Sequence, residues 1–343
     1  MQALLLSEYR KLDLTDVPAP EIAADEVLLH VAACGICGSD VHGYDGSSGR
    51  RIPPIIMGHE AAGTIAAVGS AVTDWQVGDA VTFDSTLYCG HCAYCRKGEA
   101  NLCDNRQVFG VSCTDYRRNG AFAEYLAVPE RVLYRLPPEL PFAHAAMIEA
   151  VSVALHAVRV AEFSRGETAL VIGAGMIGTL IVQALRVGGA SHIFAADPDV
   201  SRLAMAATSG AQTLIDTGRQ DTAQAVMAAQ PGGVDHVFEA VGVGATVATG
   251  VAAVRKGGTV TLVGNIAPRV ELPLQAVVTR QIRLQGSASS AGEYPRAIEL
   301  LASRQIDVSA LISAVAPLSE GARSFERLYE REPNLMKIVL TPA

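Results

Sequence analysis

The sequence predicts an α/β protein of two domains, a small antiparallel β-barrel and a doubly wound parallel sheet. Three observations predict it. From Thr168 onward apolar strands alternate with helical stretches, and a glycine-rich turn joins the first strand to the first helix. Before that point, short β-type runs are separated by polar turns and carry clustered cysteines and histidines. Beyond about residue 290 come two helical stretches and one last strand, which returns the chain to the first domain. The expected division is 1–150 with 290–343 for the barrel domain and 151–289 for the parallel sheet.

In chain order, Met1 to Leu6 reads as a first strand, and Leu12 to Val17 and Val27 to Val31 as further β-type runs around the turn at Pro18-Ala19-Pro20. Cys34-Gly35-Ile36-Cys37-Gly38 then breaks the pattern, its glycines letting the backbone turn sharply. Cys37-Gly38-Ser39-Asp40-Val41-His42 offers a thiolate, a hydroxyl and an imidazole within six residues, and Gly58-His59-Glu60 adds an imidazole and a carboxylate. Cys, His and Glu are zinc-type ligands. The hydroxyl of Ser39 and a second histidine, His42, are suited to carrying a proton from such a metal to water. Tyr44 to Arg51 reads as a polar loop between the two stretches, bordering a substrate pocket. Its Arg50-Arg51 is either a solvated surface pair or a site for an anionic group such as phosphate.

Strand returns at Gly63 to Val68 and Val77 to Val81. Cys89, Cys92, Cys95 and Cys103 follow with the spacing C-x2-C-x2-C-x7-C, the pattern of a closed four-thiolate zinc site ordering a lobe that has little core of its own. Two disulfides and an iron–sulfur cluster are the alternatives. His91 reads as a polar loop residue, and Cys34 and Cys113 as small buried or half-buried thiols. Gly120 to Val128 is strand again, and a helix begins at Ala143. Glu149 lies among its apolar positions, as a metal partner or a solvent-facing residue.

The strand Ala169 to Ile172 runs into Gly173-Ala174-Gly175-Met176-Ile177-Gly178, which opens a helix through Val187. This is G-x-G-x-x-G in the strand–turn–helix setting that places a dinucleotide pyrophosphate on a helix N-terminus. A second strand ends at Asp197, 19 residues past Gly178, where a carboxylate binds ribose hydroxyls and repels a 2′-phosphate, favouring NAD over NADP. Arg202 reads as a helix-surface residue, with a place along the adenine as the alternative. Strands at Thr213–Asp216, Val234–Ala240, Thr259–Gly264 and Ile282–Gly286 bring the count from residue 169 to six. Val241, Val263 and Gly264, at strand carboxyl ends, are expected near the nicotinamide.

Composition bounds the function. Half of the 343 residues are hydrophobic and 18% are charged, so two ordinary cores can be buried. The net charge of −8 (27 basic against 35 acidic) comes without any basic run, which argues against nucleic acid. No apolar run approaches the ~20 residues of a membrane span, and the start lacks the basic region of a signal peptide. Clustering of the seven cysteines suits metal in a cytoplasmic enzyme.

On these motifs the sequence resembles the zinc-containing medium-chain dehydrogenase/reductases over essentially its whole length. Within that family it is similar to the polyol branch of sorbitol (L-iditol) and galactitol-phosphate dehydrogenases, through Ile148-Glu149-Ala150-Val151-Ser152-Val153-Ala154-Leu155-His156. Threonine dehydrogenases are similar in the ligand stretches and supply the alternative activity, on an amino alcohol. Two positions differ from the branch's pattern: Ala150 follows Glu149 where proline is usual, and Gly43 stands where an aromatic residue often follows the relay histidine.

The resemblance implies a GroES-like barrel and a Rossmann domain, one catalytic and one structural zinc, and NAD. It implies that Cys37 and His59 bind the catalytic zinc, with Glu60 and Glu149 completing or alternating in its shell. Ser39 then takes the substrate proton and His42 passes it outward. A small-molecule polyol, phosphorylated or not, is the expected substrate, and a homodimer or homotetramer the expected assembly.

Overall fold

The structure, a computed structural model, describes residues 1–342 and divides the chain into two compact units. One runs from Met1 to Glu149 and resumes at Tyr294; the other is Ala150–Glu293.

The first unit is built on a seven-stranded sheet centred on Glu26–Gly35. Val27, Leu29 and Val31 point into the core at every second position, and this alternation fixes the face the strand buries. On one side it pairs antiparallel with Glu60–Val68, then Ala80–Phe83 and Leu133–Arg135; Tyr125–Pro129 also pairs with it. On the other side lie Lys337–Thr341 and Ile312–Pro317. The late strand thus lies next to an early one, with Val339 opposite Gly35 and Gly35 opposite Glu60. Gln2–Glu8, Lys11–Asp16 and Ile55–Ile56 make a separate three-stranded sheet.

Three local expectations are corrected. The β pattern does not break at Cys34; the strand continues through Gly35, because a glycine there leaves room for the Glu60 carboxylate. A Cβ would stand 2.4 Å from Glu60 Oε2. Gly38–Tyr44 is a helix, which the two internal glycines had obscured. Tyr44 is therefore no part of a polar loop: it is buried at the end of that helix, against Phe325 and Tyr329. Ile312–Pro317 and the helix Leu274–Thr279 were not foreseen either.

The second unit is a six-stranded parallel sheet in the order Thr213–Asp216, His192–Asp197, Thr168–Ile172, Val234–Glu239, Val254–Leu262, Arg283–Gly286. Counted in sequence this is 3-2-1-4-5-6, the doubly wound order, with its crevice where the order reverses beside Thr168–Ile172. Leu170, Ile172, Phe194, Val237 and Val260 form its core. The stretch Phe142–Val160, against the sequence reading, is long and apolar enough to cross a membrane by length and composition alone (19 residues, mean hydropathy 1.3). Its most apolar part is 56% buried within the protein, as a core helix is, and it is broken between Ala145 and Ile148.

Candidate active site

The helix Gly38–Tyr44 and the strand Glu60–Val68 organise the candidate centre. Cys37 is the N-cap of the helix, and its backbone amide donates to Asp40 Oδ2 (3.2 Å), closing the first turn. The cap sets Cys37 beside His59 and Glu60. One ligand atom from each of these three lies within 4.8 Å of the others.

Each ligand-type side chain is held from behind. Asp40, fully buried, stands with Oδ1 3.4 Å from His59 Nδ1, which leaves Nε2 as the ring nitrogen for a metal. Burial pulls the Asp40 carboxyl upward, but His59 and Arg51 outweigh it and hold it down at about 2. The His59 imidazole is shifted well upward: burial lowers it, and the Asp40 charge more than reverses that. Glu60 is paired through Oε2 with Lys337, and both are buried, at 0% and 1% exposed. Lys337 also donates to the Ile36 carbonyl (3.0 Å). Glu60 Oε1 is buried and without a partner among the described residues. An orphaned carboxylate oxygen next to a thiol and an imidazole is the donor set of a zinc site, so the residues present fit a metal.

Glu149 does not join this group as its side chain stands. It lies near enough to feel His59, Glu60, Lys337 and Asp84, and burial pushes its carboxyl up to about 7. Ser39 and His42 are exposed on one face of the helix, three residues apart, with no hydrogen bond between them among the described residues. His42 Nδ1 lies 3.5 Å from Ser47 Oγ. The arginine pair divides: Arg50 is exposed, whereas Arg51 is buried and bonded to Ser39 and Asp40. The two therefore do not form a paired clamp for an anion. Asp40, Arg51 and Lys337 are the contributors whose role here sequence reasoning did not give; the signal was a charged residue in an otherwise apolar strand or in or beside a ligand stretch.

The four-cysteine lobe brings its sulfurs within 4.8 Å of one another, with Cys89 and Cys95 Sγ 4.0 Å apart. Thiolates at ~2.3 Å from a tetrahedral zinc stand ~3.8 Å from each other, so this spacing fits the metal and not an S–S bond. All seven cysteines are free. Backbone amides point at the sulfurs, Cys95 N at Cys92 and Cys89 N at Cys103. Amides directed at Cys89 help draw its thiol down to about 6. Cys34 is buried and Cys113 half-buried, both outside the lobe.

In the second unit the glycine turn joins the strand Thr168–Ile172 to a helix. Gly175 caps the helix Met176–Gly188, and a Cβ there meets nothing within 4 Å. At Gly178 a Cβ would stand 1.8 Å from the Gly173 carbonyl, so helix and strand touch. Met176 and Ile177 begin the helix half-buried. Asp197 ends the second strand and accepts the amides of Ala174 (2.8 Å) and Asp199 (2.9 Å), which ties it to the turn. Arg202 is exposed and pairs with Asp199. Val241 and Gly264 meet: a Cβ on Gly264 would lie 2.2 Å from the Val241 carbonyl carbon. Val263 precedes that contact, its amide bound to the Glu239 carbonyl.

Two family models match in order. Residues 23–138 match the alcohol dehydrogenase GroES-like domain, and residues 177–303 match the zinc-binding dehydrogenase domain. The chain belongs to the zinc-containing medium-chain dehydrogenase/reductases. It is 33% identical to sorbitol dehydrogenase of Bacillus subtilis, over 100% of this chain and 97% of that protein. Among solved structures it is similar to galactitol-1-phosphate dehydrogenase from Escherichia coli (28% identity, TM-score 0.92, 100% of each chain). It is also similar to a putative zinc-binding dehydrogenase from Sinorhizobium meliloti bound to NADP (31% identity, TM-score 0.90, 99% of each chain). The GroES-like barrel and Rossmann-type sheet of this family are the two units described above, and the chain is a zinc-dependent oxidoreductase.

Proposed function

We propose that this protein is an NAD-dependent polyol dehydrogenase, reversibly oxidising a secondary alcohol to a ketone. The observation that carries the reading is the buried Glu60 oxygen, without a partner among the described residues, beside Cys37 and His59, set in a member of a family that includes sorbitol dehydrogenase. Zinc held by Cys37, His59 and Glu60 supplies a Lewis acid that eases loss of the alcohol proton, and the nicotinamide supplies the hydride acceptor.

The chain's own residues do the rest. Ser39, exposed at the first turn of its helix, accepts the hydroxyl proton, and His42, one turn on, hands it to solvent. Asp40 fixes the His59 ring, and Lys337 occupies one Glu60 oxygen so that the other faces the cluster. Glu149, its carboxyl pushed up to about 7 by burial, waits beside the group as an acid or an alternative ligand. The four-cysteine lobe holds the second zinc. Asp197 at the end of the second strand favours NAD. Because Arg51 is turned inward, neutral polyols are preferred to phosphorylated ones. Arg283–Gly286, the edge strand of the parallel sheet, is the proposed pairing edge of a homo-oligomer.

The test is NADH and NADPH formation with sorbitol, xylitol, galactitol, inositol, L-threonine and the phosphorylated polyols, with bound zinc measured in the same sample. Turnover of neutral polyols with NAD and about two zinc per chain is expected. Turnover of threonine alone, or equal use of both cofactors, refutes the reading.

A further inference from the structure

We propose that Arg51 is a positioning residue for proton removal: it orients the Ser39 hydroxyl and couples it to Asp40, the carboxylate behind His59. The proposal rests on the reading of Ser39 as proton acceptor.

Arg51 is only 5% exposed. Its Nη2 donates to Ser39 Oγ (3.3 Å) and to Asp40 Oδ1 (3.2 Å), and its Nη1 to the Arg50 carbonyl (3.2 Å). Nε has no partner among the described residues. A buried guanidinium with an unmet donor is costly to keep, and a purely structural role would be served by a smaller group.

The surroundings are shaped to hold it. The backbone at Arg51 bridges to Ser112; Ser112 N donates to the Arg50 carbonyl (3.2 Å) and Ile52 N to the Ser112 carbonyl (3.0 Å). The aliphatic stem lies across Gly43. A Cβ on that residue would stand 2.0 Å from Arg51 Cγ and 2.8 Å from its Cβ. In this chain the arginine stem occupies that space, and its head reaches the serine one turn earlier.

The consequence for Ser39 follows from hydrogen-bond inventory. A serine hydroxyl has one hydrogen and two lone pairs, and a guanidinium has no acceptor. Arg51 takes one lone pair and cannot receive the hydrogen. The second lone pair remains for the incoming substrate proton, and the serine's own hydrogen is directed outward. A new O–H bond forms at Ser39 Oγ as the old one is surrendered towards His42 or water, while the substrate O–H electron pair stays on the substrate oxygen. Without Arg51 the hydroxyl is free to turn to nearby backbone instead.

The experiment is a double-mutant cycle in the zinc-loaded full chain with NAD and the best polyol. Ser39→Ala should lower kcat by about a hundredfold. Arg51→Met should lower kcat by about tenfold or more, the value of a charge-assisted hydrogen bond, with KM changed little, zinc content unchanged and the solvent deuterium isotope effect raised. In the Ser39→Ala background Arg51→Met should cost less than about twofold, and Arg51→Lys should restore part of the loss. Should Arg51→Met fail to fold, Gly43→Ala, which displaces the stem and keeps the charge, should give the same signature. Equal cost of Arg51→Met with and without Ser39 overturns the positioning role alone. Full activity of Ser39→Ala instead overturns the reading of Ser39 on which it rests.

Discussion

Lys337→Met isolates the buried ion pair behind the candidate centre. Glu60 and Lys337 are 0% and 1% exposed, and Glu60 Oε1 already lacks a partner among the described residues. The substitution leaves a buried carboxylate with neither oxygen satisfied and takes a donor from the Ile36 carbonyl. Removing one partner of a buried pair costs about 3–5 kcal/mol. For a unit the size of the first, that corresponds to a fall of about 6–20 °C in unfolding temperature. The charge on Glu60 is what makes the loss large, so a cation should offset it. Calorimetry of chelator-treated protein should show the full drop, and saturating zinc should shrink it. Adding Glu60→Gln to Lys337→Met should recover most of the stability, since the pair then leaves no unpaired charge behind. A metal-free unfolding temperature within about 2 °C of the native protein, or a drop indifferent to zinc, would refute the argument.

Gly175→Ala should fold normally, since its Cβ meets nothing within 4 Å, yet weaken NAD binding about tenfold in calorimetric titration by intruding on the pyrophosphate. Gly178→Ala, with its Cβ 1.8 Å from a carbonyl, should instead lower stability by about 1–3 kcal/mol in denaturant unfolding. Cys92→Ser should lose about one zinc per chain and open the lobe between Cys89 and Cys103 to protease, while the other metal is retained. Burial pushes the Glu293 carboxyl up, but His156, the Ala291 amide and Arg159 outweigh it and leave it below the usual range. Such a carboxyl stabilises the fold above its unfolded value of about 4.3, and that contribution is lost as pH falls through the lower folded value. Glu293→Gln should therefore be less stable at neutral pH and flatter in its thermal midpoint across the acid range; an unchanged acid slope would contradict this.

The parallel sheet was legible because its central strands Thr168–Ile172, His192–Asp197 and Val234–Glu239 are short, mainly apolar runs and the glycine turn marks its first crossover. Residue types also identified Cys37, His59 and Glu60 as ligand candidates, since few pairs of short stretches offer a thiol, an imidazole and a carboxylate together. What stayed hidden was long-range. Lys337 meets Glu60 across 277 residues, and no spacing rule reaches that far. Arg51 read as half of a pair, either solvated or binding an anion, because its inward partners depend on Gly43 making room. The helix Gly38–Tyr44 is only seven residues long, and its cap is a cysteine, outside the usual Ser/Thr/Asp/Asn set. Glu149 was open from spacing, and its place beside the ligand group rather than in it depends on where its helix begins.

The strand Lys337–Thr341 also imposes an order of events on the growing chain. Glu60 leaves the ribosome 277 residues before its counter-charge does. At about 5–20 residues per second, that leaves roughly 14–55 seconds with the acid made and its lysine still unmade. Throughout that interval Glu26–Gly35 has an open edge where Lys337–Thr341 will later pair. The whole segment Ala150–Glu293 is synthesised in the gap and has its own core to collapse around. The dinucleotide-binding half is thus placed to fold first and the metal-binding half to close last. A chain stopped short of its final strand would retain the cysteine, the histidine and the glutamate, but without the ion pair that holds the glutamate in place.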